Sequence, residues 1–492
     1  MNRIKRFSMV AFVLALGFTL LPDEANPLLS VAQAAAPARL GNERRAVWIW
    51  GSTVRTKGAE VVATVLKERG ITDAILLVKG TAGTVAYPSA IAPEAAAGTD
   101  ALGDFLVACH ARGIKVHAWL NYHQDDYFGI TKSNYKYSIW HSGKPPGTPD
   151  PYQVKDGRIC PLRAKEEYNQ YYLSLVQEIL QLYPVDGIHF DYIRYPHVVY
   201  CFCPQHLALA AERGISIANV RGYINQTYYT PGDQKSYFNA YATGDSDVTK
   251  WVGLRVGEIN SVAEMVKDAL DEYNVANGAS VELSAALMPE GALASTMATD
   301  QARTDQFGLC HYAQSYEDLS QLMSFIAPMA YHKDYGQPPS WVGTVTAGAV
   351  AKAAGTPVLA GIQVYSVTAQ DIVDALYAAR WNGASGFVLF RYGVSTSADA
   401  AWAAIVPDME SLATSLEAAF DAGWIDNAGI YNSLAQLLKN AQKSIDQSNI
   451  GAAKNQLTAI VHELNAQSGK HIDARAAAIL ADDVSWVADL LQ

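Results

Sequence analysis

The sequence predicts a (β/α)8 barrel followed by a small all-α helical domain, an α/β fold with a helical appendage. Three observations predict it. Eight short apolar runs recur between residues 46 and 393, with helix-period segments between most of them. No G-x-G-x-x-G follows the first run, which disfavours a doubly wound nucleotide-binding sheet. Beyond Pro407 the strand signals stop, and Ala, Leu, Asn and Gln dominate.

The elements follow in order. Arg3, Lys5 and Arg6 precede an apolar run over 7–21 and a small-x-small site at Ala32-Gln33-Ala34. This pattern reads as an export signal over 1–34, and so as a protein secreted or held at the cell wall. The apolar run is short for a bilayer span, and a retained anchor is the alternative. After signal cleavage no membrane association is expected. The barrel is expected over 43–407. Its strands are expected at 46–50, 73–80, 115–122, 187–195, 281–289, 324–332, 357–365 and 385–393. Helices are expected at 102–112, 166–182, 256–273 and 370–380, among others. Two long insertions, 123–163 and 197–250, follow the carboxyl ends of strands and should sit over the mouth of the barrel. A separate bundle of three or four helices is expected over 409–492, with Gly423, Asn427, Gly429, Asn449, Gly451 and Gly469 as punctuation.

The chain carries a net charge of −11, which disfavours nucleic acid and anionic lipid as partners. Its five cysteines are Cys109, Cys160, Cys201, Cys203 and Cys310. The segment Cys201-Phe202-Cys203-Pro204-Gln205-His206 fits no standard zinc spacing. Free, partly buried thiols are the expected state, with no metal and no cofactor. A zinc site shared with Cys160, or a disulfide to Cys160, are the alternatives.

Side chains alternate along a strand. The apolar sets Val116, Ala118, Leu120 and Tyr122, and Ile188 with Phe190, suit the helix layer. The last inward positions are then Trp50, Lys79, Asn121, Asp191, Met288, Tyr331 and Gln363, with Arg391 or Tyr392 on the eighth strand. A carboxylate, a cation, amides and aromatics gathered at one rim argue for a cleft, because buried polar groups need partners. Glycoside hydrolysis needs two carboxyl groups. Asp191 is the first; Glu290 and Asp334, just past the fifth and sixth strands, are the best placed for the second. Arg194 would hold Asp191 ionised or bind substrate, and His332 would orient a carboxylate or donate to a hydroxyl. Trp50, Trp119, Tyr192, Tyr331 and Trp341 would form sugar platforms, with Lys79, Asn121 and Gln363 as polar contacts. The expected partner is a polysaccharide. An early H-x-H pair for a metal hydrolase and a G-x-S-x-G elbow are both missing from the sequence. A catalytically silent barrel that binds cell-surface glycan is the rival reading.

Four stretches carry a resemblance: R-A-V-W at 45–48, A-R-G-I-K-V-H-A-W-L-N at 111–121, V-D-G-I-H-F-D-Y-I-R-Y-P at 185–196 and P-M-A-Y-H at 328–332. They resemble the bacterial family-10-like glycosyl hydrolases over roughly residues 43–405. The resemblance implies an exported (β/α)8 barrel, some members of the family cutting the glycan strands of peptidoglycan. It implies a catalytic Asp at Asp191 and a substrate-facing Tyr at Tyr331. Trp251 and Arg255 match a W-x-x-x-R-like stretch opening a helix. Ala327 departs from the pattern, standing where an Asp is expected. The run Gly423-Trp424-Ile425-Asp426-Asn427, with Asn432-Ser433-Leu434 and 437–441, resembles the FIMAH helical domain of secreted bacterial enzymes. It implies an accessory module without catalytic groups.

Overall fold

A computed structural model describes residues 43–131, 138–139, 152–153, 157–160, 162, 166–224, 234–293, 308–394 and 407–491. The proposed export signal lies outside the described residues. Eight parallel strands close into a barrel in sequential order: β1 (Arg44–Trp50), β2 (Asp73–Lys79), β3 (Lys115–Asn121), β4 (Gly187–Asp191), β5 (Glu282–Leu287), β6 (Phe325–Ala330), β7 (Leu359–Gln363) and β8 (Gly386–Phe390). They coincide with the eight predicted runs. Most are shorter at the carboxyl end, because pairing stops where the chain turns onto the rim.

The barrel interior is layered. At the N-terminal end, Arg44 bridges Asp73 and Glu282 and lies over the Phe325 ring, while His117 approaches Asp73. Burial would raise the Asp73 carboxyl, but His117 and Arg44 hold it well below the usual range. Gly187 opens β4 against this layer. A Cβ there would collide with His117 Nδ1, so the imidazole's place in the interior depends on the missing side chain. In the middle layer, Trp48 Nε1 donates to His189 Nε2 at 3.1 Å, and His189 Nδ1 lies 2.8 Å from Ser284 Oγ. Above them Trp119, Met329, Tyr331 and Phe390 close the floor of the mouth.

Among the described residues of the second insertion, helices span Pro204–Glu212, Ile217–Tyr223 and Lys235–Ala242, none of them predicted. The helix expected at 256–273 runs from Ser246 to Asn277, capped by Asp245. Arg255 on that helix is fully buried and donates to the carbonyls of His197, Cys310 and His311, tying two rim segments together.

The C-terminal region forms four helices, Met409–Asp421, Ala428–Asp446, Ile450–Gln467 and Ala474–Leu490. Their N-caps are Asp408, Asn427, Asn449 and Asp473. Such short polar side chains satisfy the orphan N–H groups of the first turn. Leu412, Leu434, Leu457 and Leu480 are among the side chains of its own core. The G-W-I-D-N run has a structural account. Trp424 packs on Trp381 of a barrel helix with ring centroids 4.5 Å apart, Ile425 is buried, Asp426 meets His471 and Asn427 caps the second helix. No helix among the described residues is long and apolar enough to cross a membrane.

Candidate active site

β4 ends in Asp191, at the face where barrel enzymes carry their chemistry. Its Oδ1 accepts from the backbone N–H of Tyr192 at 2.6 Å and from Arg194 at 3.0 Å. Tyr192 adopts φ +55°, a left-handed conformation that costs a non-glycine residue about 1 kcal/mol. That turn lets the chain fold back so that Arg194 reaches the carboxylate three residues earlier. His123 braces the turn, its Nδ1 lying 3.0 Å from Tyr192 O and 3.2 Å from Arg194 N.

Tyr331 stands on the same rim. Its ring stacks on Phe390 at 5.1 Å and meets Trp48 edge-on at 6.4 Å. Burial raises its phenol well above the usual value, and the charges of Asp191 and Asp334 add to this. Gln363 is fully buried and orders the next loop: Nε2 donates to Asp334 Oδ1 at 3.0 Å, and Oε1 accepts from the N–H groups of Lys333 and Asp334. Tyr365 donates to the other oxygen of Asp334. Glu290 engages the same loop through Tyr335, the residue after Asp334. It accepts from Tyr335 at 3.0 Å, and Tyr335 stacks on Trp341 at 5.1 Å.

Trp119 Nε1, Asn121 Oδ1 and His332 Nδ1 are buried without a hydrogen-bond partner among the described residues. Buried polar groups are ordinarily satisfied, so these three are exceptions among the described residues at this end of the barrel. Trp50 and Tyr192 are 37% and 38% exposed and present usable ring surface. Each already carries a guanidinium, Arg391 over Trp50 and Arg194 over Tyr192. Trp119 is 5% exposed and belongs to the floor. On the eighth strand Phe390 faces inward, Arg391 lies over Trp50 and Tyr392 packs on the helix side.

Lys79 is fully buried. Its ammonium is held by Asp125 at 2.8 Å and Asn121 O at 3.0 Å. The pairing of β2 with β3 shifts register between Leu77 and Lys79, which breaks the alternation used to place it. A cation so enclosed supports the wall rather than touching a ligand. Ala327 lines the interior beside Trp48 and Phe325.

Several histidines here are held neutral. Burial lowers His123 to about 3, and pushes His189 and His311 well below their ordinary value. In the unfolded chain each titrates at about 6.5. Folded-state values below the unfolded one mean that unfolding takes up protons once the pH drops beneath about 6.5. Stability is therefore complete above that pH and declines as the pH falls toward each folded value, on the order of 4 kcal/mol at pH 3 for His123 alone. Thermal melts between about pH 7.5 and 4 should show a melting temperature that falls steadily below about pH 6.5; a flat profile down to about pH 5 would contradict this.

Residues 409–489 match the FIMAH domain. No curated protein matches the chain. The barrel is similar to the glycoside hydrolase domain of PgaB (BpsB) from Bordetella bronchiseptica, with a TM-score of 0.55 at 15% identity over 74% of this chain and 99% of that one. Alpha-L-fucosidase isoenzyme 2 from Paenibacillus thiaminolyticus gives a TM-score of 0.48 at 15% identity over 74% of this chain and 48% of that one. A beta-galactosidase from Marinomonas ef1 gives 0.48 at 12% identity over 76% of this chain and 60% of that one. At 15% identity the likeness to the PgaB domain is one of fold alone; this chain's own strands form the closed parallel barrel, and the segment after it matches the FIMAH domain.

Proposed function

We propose that the protein is an exported glycoside hydrolase that cleaves a cell-wall or extracellular polysaccharide by two-carboxylate chemistry. In this reading a signal over 1–34 directs export, 43–407 is the catalytic barrel and 409–492 is an accessory module. One observation carries it. A buried carboxylate, Asp191, stands at the C-terminal rim with Oδ1 held by the Tyr192 N–H and Arg194. Its other oxygen is assigned to the sugar, as nucleophile or base. Asp334 takes the acid's place ahead of Glu290, because its charge and that of Asp191 both act on the Tyr331 phenol and Gln363 fixes its carboxyl in place. Trp50, Tyr192 and Tyr331 supply ring surface, and Asn121 and His332 supply polar contacts. Trp341 belongs to the Glu290 side.

The test is reducing-end release from a panel of bacterial glycans, including peptidoglycan strands with and without stem peptides. Release from at least one polymer is expected. Retention of glycan without release would leave a silent, glycan-binding barrel.

A further inference from the structure

The two rim insertions meet at a cluster that the proposed hydrolysis does not use. Cys160 belongs to the first; Cys201, Cys203 and His206 belong to the second. All four are fully buried, and one ligand atom from each lies within 4.8 Å of the others. We propose that these four residues hold a structural zinc ion that staples the insertions together over the barrel mouth.

The geometry supports this. Zn–S bonds of about 2.3 Å and Zn–N bonds of about 2.0 Å at tetrahedral angles require S···S separations of about 3.8 Å and S···N separations of about 3.5 Å. Cys160 Sγ and Cys203 Sγ are 3.8 Å apart. His206 Nδ1 lies 3.6 Å from Cys160 Sγ and 3.2 Å from Cys203 Sγ. A disulfide needs sulfurs about 2.05 Å apart, so Cys160 and Cys203 are not bonded. Three sulfurs packed as plain apolar side chains would not call for an imidazole nitrogen turned into them.

The outer contacts fit as well. His206 Nε2 lies 2.8 Å from Tyr195 Oη. With Nδ1 on the metal, Nε2 carries the proton and donates to that oxygen, the arrangement that orients metal-bound histidines. Cys203 caps the helix Pro204–Glu212, its Sγ accepting from the His206 N–H at 3.5 Å. A helix N-terminus favours the thiolate. Binding releases three thiol protons to solvent and leaves His206 neutral. Four protein ligands close the coordination sphere, which marks a structural rather than a catalytic site. Tyr195 lies four residues beyond Asp191 in the chain, so the ion would brace the segment that carries Asp191, Tyr192 and Arg194.

The full chain, purified without chelator, should contain one zinc per molecule. After exchange, Co2+ should give the intense visible absorption of a tetrahedral thiolate site. Cys203→Ser should lose the metal, whereas Cys109→Ser should keep it. Should Cys203→Ser fail to fold, the wild-type metal content, cobalt spectrum and thiol count still decide. Five reduced thiols in the denatured protein, no bound zinc and no cobalt spectrum would overturn the proposal. A mass lower by two hydrogens with three titratable thiols would replace it with a disulfide.

Discussion

Asp191→Asn is expected to lower glycan cleavage by about 10³-fold or more, the effect of removing a nucleophile or base from the reacting centre. KM should change little, because the rings and amides that meet the sugar remain. The substitution has a structural cost. Arg194 is paired with Asp191, their side chains 13% and 9% exposed. Loss of the charge leaves the guanidinium poorly compensated, so melting must be followed alongside kinetics, and rates compared well below the transition. The second carboxylate separates from the first by its dependence on the leaving group. Asp334→Asn should abolish cleavage of natural polymer and spare aryl glycosides whose leaving group needs no proton; Asp191→Asn should lose both. Glu290→Gln tested in parallel decides between the two acids. Unchanged cleavage by a folded Asp191→Asn variant would remove this residue from the chemistry.

Much of the fold is legible because each strand of a closed parallel barrel is a short buried run, and the outward apolar set reveals the inward set by alternation. Asn121, Asp191, Tyr331 and Gln363 reach the rim as expected. Lys79 does not, because a register shift cannot be read from composition. The short helices of the second insertion are hidden for a different reason: each is only two or three turns long, too brief to establish a period. The start of the long helix is hidden because Asp245 and the polar residues after it read as loop until the cap is seen to close on Val248. The cysteine cluster stays ambiguous in the sequence because Cys160 and Cys203 are 43 residues apart, and only the meeting of two insertions brings them together.

The helical module is joined to the barrel by a buried ion cluster, and Asp483→Ala should show how strongly. Asp483 is fully buried on the last helix. It accepts from Arg380 at 2.7 and 2.8 Å and from Tyr377 at 3.0 Å, both on the barrel helix Ala369–Trp381. Arg380 also donates to Glu43 at 2.7 and 3.0 Å, just before β1. Burial opposes the charge on Arg380, and Asp483 followed by Glu43 more than restores it. Asp483→Ala leaves Arg380 with Glu43 as its remaining partner, so the cost should fall below the about 3–5 kcal/mol of a fully stranded buried charge. Asp483→Ala should therefore lower the melting temperature and split a single transition into two, the bundle unfolding first. Arg380→Met with Asp483→Leu replaces the pair by apolar side chains but leaves Glu43 with Arg45 as its nearest cation, at 3.6 Å, so recovery of the loss should be partial. If Asp483→Ala melts like the parent, the apolar Trp381–Trp424 contact, not the ion cluster, holds the two parts together.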